Sequence, residues 1–316
     1  MSIGVPDQFS HHPVMRDEIV DVFGTVPPGT IVDATLGGGG HAQALLESRS
    51  DLSVIGIDRD SVAIEAASAR LAHFGERFHV SHRRFDEIEA AMAEHGVDRL
   101  SGALFDLGVS SPQLDRPERG FSYREAGPVD MRMDQSSEWS AADVVNGYDE
   151  NRLADVIHRH GDERFSRRIA RAIVAARPIE TTAHLAEVIV SAIPAAARRT
   201  GGHPAKRTFQ AIRIEVNAEL EVLPEALDAA IANLAPSGRV AVLSYHSGED
   251  RIVKDRFVSA ADTCICPPEL PCVCGAVQTV RIVRRVPKRP SENEVATNRR
   301  AGSARLRVLE KLEETS

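Results

Sequence analysis

The chain has 316 residues, 42% hydrophobic and 27% charged, with 38 Lys and Arg against 46 Asp and Glu, a formal net charge of −8. That length and apolar content suit one large or two smaller packed domains and exclude global disorder. No apolar run reaches the roughly 18–20 residues of a membrane helix. The opening MSIGVPD lacks the basic and apolar regions of a secretory signal, so a cytoplasmic protein with no membrane partner is expected.

Thr30–Thr35 (TIVDAT) predicts a buried strand, followed by Gly37–Gly40 and a helix over His41–Ser48. Leu52–Ile57 predicts a second strand, ending at Asp58. A helix over Ser61–Phe74 follows, with Ser61 its expected N-cap and Ile64, Ala67 and Leu71 on its apolar face. Phe78–Ser81 and Gly102–Leu107 read as the third and fourth strands. This alternation predicts a parallel, doubly wound sheet with right-handed crossovers.

From about Pro112 to Arg213 the alternation gives way to helical text. Within Arg164–Arg177, Phe165, Ile169, Ala172 and Ile173 share one face, and Arg164, Arg167, Arg168 and Arg171 cluster away from it as a basic stripe. The α/β pattern resumes with a long helix over Asn217–Leu234, interrupted at Pro224. The strand Arg239–Ser244 and a late strand Thr279–Val286 follow. The expected fold is α/β, with a core of residues 1–112 and 214–316 and an inserted helical domain of residues 113–213.

The net charge hides a division. Residues 158–213 hold eleven Lys and Arg against four acids, and residues 281–307 hold nine against two, within an otherwise acidic chain. Two such basic segments can engage a polyanion locally, or can simply be solvated faces.

Ligands of open α/β sheets sit at the carboxyl ends of the strands. Three early strands end in or beside an aspartate, Asp33, Asp58 and Asp106, and between the first two lies Gly37-Gly38-Gly39-Gly40-His41-Ala42. That loop satisfies the dinucleotide pattern G-x-G-x-x-G/A, and Asp58 follows it at the distance of a ribose-binding acid. The further carboxylates separate two cofactors. NAD brings an anionic pyrophosphate that they would repel, whereas S-adenosylmethionine brings a sulfonium and an ammonium that they attract.

The segments DATLGGGGH (33–41), GIDRD (56–60), DLGVSSPQLD (106–115), RGFSY (119–123) and DMRMD (130–134) resemble the RsmH (MraW) family. So do GDERFSRRIARAIV (161–174), HPAKRTFQAIRIEVNAEL (203–220), SYHSGEDRIVK (244–254) and RPSENEVATNRRAGSARLR (289–307). The resemblance implies a class I (Rossmann-like) S-adenosylmethionine-dependent methyltransferase with an inserted, RNA-facing helical domain. Its implied reaction is methylation of the exocyclic N4 of a cytidine in the decoding region of small-subunit (16S) ribosomal RNA. The implied partner is the small ribosomal subunit or its rRNA, not DNA. By similarity, Gly39, Gly40 and His41 hold the methionine end of the cofactor, Asp58 the ribose and Phe85 the adenine, with Asp106 and Gln113 completing the cofactor set. Two residues depart from the family's SFHSLEDR motif: Gly248 stands in place of leucine, and Tyr245 where phenylalanine is common.

The motif [DNS]-P-P-[YF] of DNA amino-methyltransferases is absent after the fourth strand, which reads DLGVSSP. Asp106, or a backbone carbonyl near Ser110, is therefore the expected acceptor for the amine, with His246 the second catalytic candidate. Cys264, Cys266, Cys272 and Cys274 form C-x-C-x5-C-x-C, a spacing open both to zinc and to an ordinary surface loop. No metal ligand is assigned. Two rival functions stand beside the methyltransferase: an NAD-dependent oxidoreductase, and an RNA-binding assembly factor that keeps the pocket without catalysis.

Overall fold

The computed structural model describes residues 13–199, 202–262, 274 and 277–313. Two compact units divide most of the chain between them, one of residues 109–221 and one of residues 9–108 with 222–316.

The second unit is built on a seven-stranded sheet. In chain order it runs α1 (Arg16–Phe23), β1 (Gly29–Asp33), α2 (Gly40–Ser48), β2 (Leu52–Asp58), α3 (Ser61–Leu71), β3 (Phe78–His82), α4 (Ile88–Glu94) and β4 (Leu100–Asp106). The other unit then intervenes, with α5 (Ser111–Asp115), α6 (Ala141–Gly147), α7 (Glu150–Gly161), α8 (Ser166–Ala175), α9 (Thr182–Ala192) and α10 (Lys206–Asn217). Helix α11 (Glu219–Ala232) returns to the sheet, followed by β5 (Leu234–Ser244), α12 (Ser247–Ala261), β6 (Val280–Val283), α13 (Glu292–Thr297) and β7 (Arg305–Lys311).

The strand order is β3-β2-β1-β4-β5-β7-β6. The first five strands pair in parallel, and β7 lies antiparallel to both neighbours. Successive residues of a strand point to opposite faces. Ile31, Val54, Leu104 and Leu243 thus pack with α1, α2 and α3 on one side of the sheet. Val32, Ile55, Phe105 and Val242 pack with α4, α11 and α12 on the other. Burial on both faces is why these strands read as continuous apolar runs. The chain reverses direction across the sheet between β1 and β4, which opens a crevice beyond their carboxyl ends.

The helical unit has a core of its own, in which Val144, Leu153, Ile157, Ile169, Ile173, Leu185, Ile189 and Ile212 are fully buried. On α8 the buried residues are Ser166, Ile169, Ala170 and Ile173, while Arg167, Arg168 and Arg171 are exposed, as the amphipathic pattern anticipates. No described helix is long and apolar enough to cross a membrane.

Several local expectations are corrected. Asp60, not Ser61, caps α3: its side chain accepts the Val62 N–H at 3.1 Å from an extended backbone. A short side chain placed just before the first helical residue reaches the unpaired N–H groups best. Helix α3 ends at Leu71 and passes into a 3-10 turn over Ala72–Arg77. Pro224 does not interrupt its helix but lies inside α11. The break falls at Ala218, which adopts φ +50 and separates α10 from α11. Strand β5 begins earlier than expected because it takes in Pro236, Ser237 and Gly238 as an irregularity, where the register with β4 shifts.

Candidate active site

The chain leaves β1 at Asp33, whose side chain is 1% exposed. The turn that follows needs left-handed backbone at Gly37 (φ +49) and Gly39 (φ +75), the latter forming the N-cap of α2. A Cβ at Gly39 would lie 2.9 Å from Leu71 Cδ1, so both backbone sign and space favour glycine there. Gly40 and His41 open α2 and present the positive end of its dipole at the mouth of the crevice.

Asp58, at the end of β2, binds the loop. Its Oδ2 accepts the Gly37 N–H at 2.8 Å and its Oδ1 accepts the Asp60 N–H at 2.9 Å. Burial nonetheless raises its pKa above the ordinary carboxyl value. Asp33 is pushed up to about 7, chiefly by burial, with His41 and the Thr35 N–H opposing the shift and Asp106 and Asp58 adding to it. Asp33 Oδ2 and both ring nitrogens of His41 are buried without hydrogen-bond partners.

Asp106 ends β4 with its side chain 25% exposed. Its N–H donates to Thr35 Oγ1 at 2.6 Å, its Oδ1 accepts the Tyr245 hydroxyl at 2.6 Å, and its Oδ2 lies 3.4 Å from His41 Nε2. Tyr245 follows directly on β5. Phe85, after β3, is half-buried with its ring edge-to-face against Phe105 at 6.2 Å. The structure thus brings Gly39, Gly40, His41, Asp58 and Asp106 together around one crevice, with Asp33 beneath them.

His246 is the N-cap of α12. Its Nδ1 accepts the Glu249 N–H at 3.4 Å, and its Nε2 lies 3.1 Å from Glu249 Oε1. Glu249, 2% exposed, accepts the N–H groups of Tyr245 (2.7 Å) and His246 (3.2 Å) in return. Gln113 belongs to the helical unit, where its Oε1 accepts the Ser110 N–H at 3.0 Å in a capping box at the start of α5. The tie between Tyr245 and Asp106, and the role of Thr35, were not legible in the sequence. The partners are 139 and 71 residues apart, and no local pattern announces either bond.

The donor set suits a cation more than a phosphate: three acids at strand ends, of which Asp33, like the neighbouring His41, is buried with unfilled hydrogen-bonding capacity, and one helix N-terminus for a carboxylate. Among the described residues no group of three or more His, Cys, Asp or Glu is placed to hold a metal ion. Cys264, Cys266 and Cys272 lie outside the described residues, and Cys274 is exposed.

A sheet of this order with β7 antiparallel, and a glycine loop ringed by strand-end acids, define a class I methyltransferase. A profile of the MraW methylase family matches residues 8–312. Ribosomal RNA small subunit methyltransferase H of Thermobifida fusca is 50% identical over 312 residues, covering 96% of this chain and 94% of that protein. The protein of the same name from Kocuria rhizophila is 50% identical, covering 98% and 97%. That from Paenibacillus sp. (strain JDR-2) is 47% identical, covering 96% and 100%. The chain belongs to the MraW methylase family and is a methyltransferase.

Proposed function

We propose that this chain transfers a methyl group from S-adenosylmethionine to the exocyclic N4 of a cytidine in the decoding region of small-subunit ribosomal RNA. The observation that carries the reading is the gathering of Asp33, Asp58 and Asp106 about the glycine loop, which favours a cationic cofactor over NAD. The names of the relatives and the exposed arginines of α8 support an RNA substrate. The small ribosomal subunit or its rRNA is the assigned partner, in the cytoplasm, with neither DNA nor a membrane involved.

Bound S-adenosylmethionine supplies an electrophilic methyl group for in-line displacement. The work of the chain is to hold the amine, the methyl and the sulfur in line. Gly39, Gly40 and His41, at the N-terminus of α2, suit the methionine carboxylate, and Asp33 below them suits the ammonium. Asp58 is assigned to the ribose hydroxyls, Phe85 to the adenine face and Gln113 to a further cofactor contact. A cytosine amine is a weak nucleophile because its lone pair is delocalised into the ring. Asp106 Oδ2 is assigned as acceptor for one N4 hydrogen, which localises that lone pair, and it receives the proton released as the C–N bond forms. His246 is the second candidate by sequence, but its Nδ1 accepts the Glu249 N–H and its Nε2 faces Glu249 Oε1, which favours Asp106 for the role. The target base must be unstacked to reach the crevice.

The test is transfer of labelled methyl from S-adenosylmethionine to small subunits from a strain lacking the gene, followed by nucleoside analysis. N4-methylated cytidine in the small-subunit RNA, lost on Asp106→Ala, is the expected result. Cofactor binding without incorporation into subunits or free RNA would overturn the reading in favour of an assembly factor.

A further inference from the structure

Three rings of the helical unit form a column that ends in solvent. Phe209, on α10, is 3% exposed and anchored in the core of that unit. The Tyr123 ring stands edge-on to it, with centroids 5.7 Å apart and planes at 82°. On Tyr123 lies the imidazole of His203, stacked at 4.4 Å with the planes only 12° apart. Tyr123 is half-buried and His203 exposed, so the column opens outward at the imidazole. That last ring is held in place: His203 Nδ1 accepts the Ala205 N–H at 3.2 Å, and the His203 carbonyl accepts the Lys206 N–H at 3.0 Å. Cations flank the column. Arg124 follows Tyr123, and Lys206 and Arg207 open α10 just past His203. Arg207 Nη1 donates to the Asp162 carbonyl at 3.0 Å, which brings in the segment carrying Arg164. All four cations are exposed on these segments, against the exposed acids Glu125 and Asp162.

We propose that this column is a stacking platform for one unstacked nucleotide of the RNA substrate: the base lies on the outer face of His203, and Lys206 and Arg207 take the phosphates beside it. This rests on the reading of the chain as an RNA methyltransferase. A planar ring is what a splayed base needs, because every base has a π-face and stacks on an aromatic side chain whatever its identity. The ring is also prepared for that contact. Tyr123 backs it, Phe209 backs Tyr123, and the Ala205 N–H fixes its rotation, so little freedom is lost when a base arrives. The neighbouring cations supply the complementary charge for the backbone of the same strand. The two parts answer differently to salt: phosphate contacts weaken as it rises, and stacking does not release counterions.

The experiment compares full-length wild type, His203→Asn, His203→Phe and Lys206→Ala. Binding to small-subunit rRNA is measured by filter retention over a range of salt, beside the melting temperature and the affinity for S-adenosylmethionine. Asparagine keeps an acceptor for the Ala205 N–H and loses the ring, whereas phenylalanine keeps the ring and loses the acceptor. The expected result is RNA binding about tenfold weaker in His203→Asn with an unchanged salt slope, and within about twofold of wild type in His203→Phe. Melting temperature and cofactor affinity stay at the wild-type level in both. Lys206→Ala should flatten the slope of log K against log salt by roughly 0.7. Wild-type binding in both His203 variants overturns the platform and leaves the RNA reading standing. Equal weakening in both, or weakening in His203→Phe alone, also overturns it, since the imidazole nitrogen and not the ring face would then matter. An unchanged slope in Lys206→Ala overturns the phosphate half of the proposal. Failure of the wild type to bind the RNA overturns the RNA reading and the platform with it.

Discussion

Buried at the end of β1, the Asp33 carboxyl is pushed up to about 7, whereas in an unfolded chain it ionises near 4. Between those values the folded protein keeps a proton that the unfolded chain has lost. Stability without cofactor therefore falls as the pH rises from about 4 to about 7 and is level above that. Asp33→Asn removes the cost of ionisation. The variant is expected to melt higher than wild type at pH 8, with the gap closing toward about pH 4.5, while binding S-adenosylmethionine more weakly. Melting curves at the two pH values check this, and a gap independent of pH would refute it. The same acid was visible in the sequence as one of three strand-end aspartates. Its burial and its neighbours were not, because both depend on what α2, β2 and β4 bring to it.

The β1–glycine–α2 turn shows how far a local pattern carries. Four glycines before a helix announce a close-approach loop, and the structure uses Gly39 at φ +75 with Leu71 and Ala67 packed where a side chain would start. Gly39→Ala is expected to destabilise the protein by about 1–2 kcal/mol through the left-handed backbone alone. It should also weaken cofactor binding, and denaturant melts with parallel calorimetry measure both. Strands β1, β2 and β4 and the second half of β5 were legible because burial on both faces leaves them mostly apolar, whereas β3, FHVSH, is largely half-buried and left a fainter mark. Strand β7 was not, because RLRVLEK interleaves charges with its apolar residues and its pairing partners β5 and β6 precede it in the chain. Capping was misplaced by one residue at α3, where Asp60 and Ser61 are both competent caps and only the backbone angles choose between them.

Across the molecule, the two basic segments of the sequence have different fates. In the later one, Arg307 makes a two-pronged pair with Asp250, at 2.7 and 3.0 Å, and Arg281 pairs with Glu310 at 2.6 Å. Those cations brace the sheet end and α12, so fewer are left for an outside anion than the segment's charge suggested. On α8, Arg171 pairs with Glu150 across a mostly exposed surface, where such a pair contributes little, and Arg167 and Arg168 point to solvent. Arg167→Ala with Arg168→Ala is expected to weaken binding to small-subunit rRNA. The slope of log K against log salt should flatten by roughly 0.7 for each phosphate that the variant no longer neutralises. Filter binding between low and moderate salt checks this, and an unchanged slope would remove α8 from the RNA surface.

Apolar periodicity and glycine punctuation were enough to establish an α/β protein with a helical insertion after its fourth strand. The strand-end carboxylates were enough to favour a cationic cofactor over a dinucleotide. Those are local properties: a buried parallel strand, an amphipathic helix and a glycine turn each leave their mark within about a dozen residues. The antiparallel β7, the state of Asp33, the engagement of His246 as a helix cap and the bond from Tyr245 to Asp106 were decided by the tertiary structure. Each depends on groups far apart in the chain meeting out of water, where burial and a single hydrogen bond determine charge and direction.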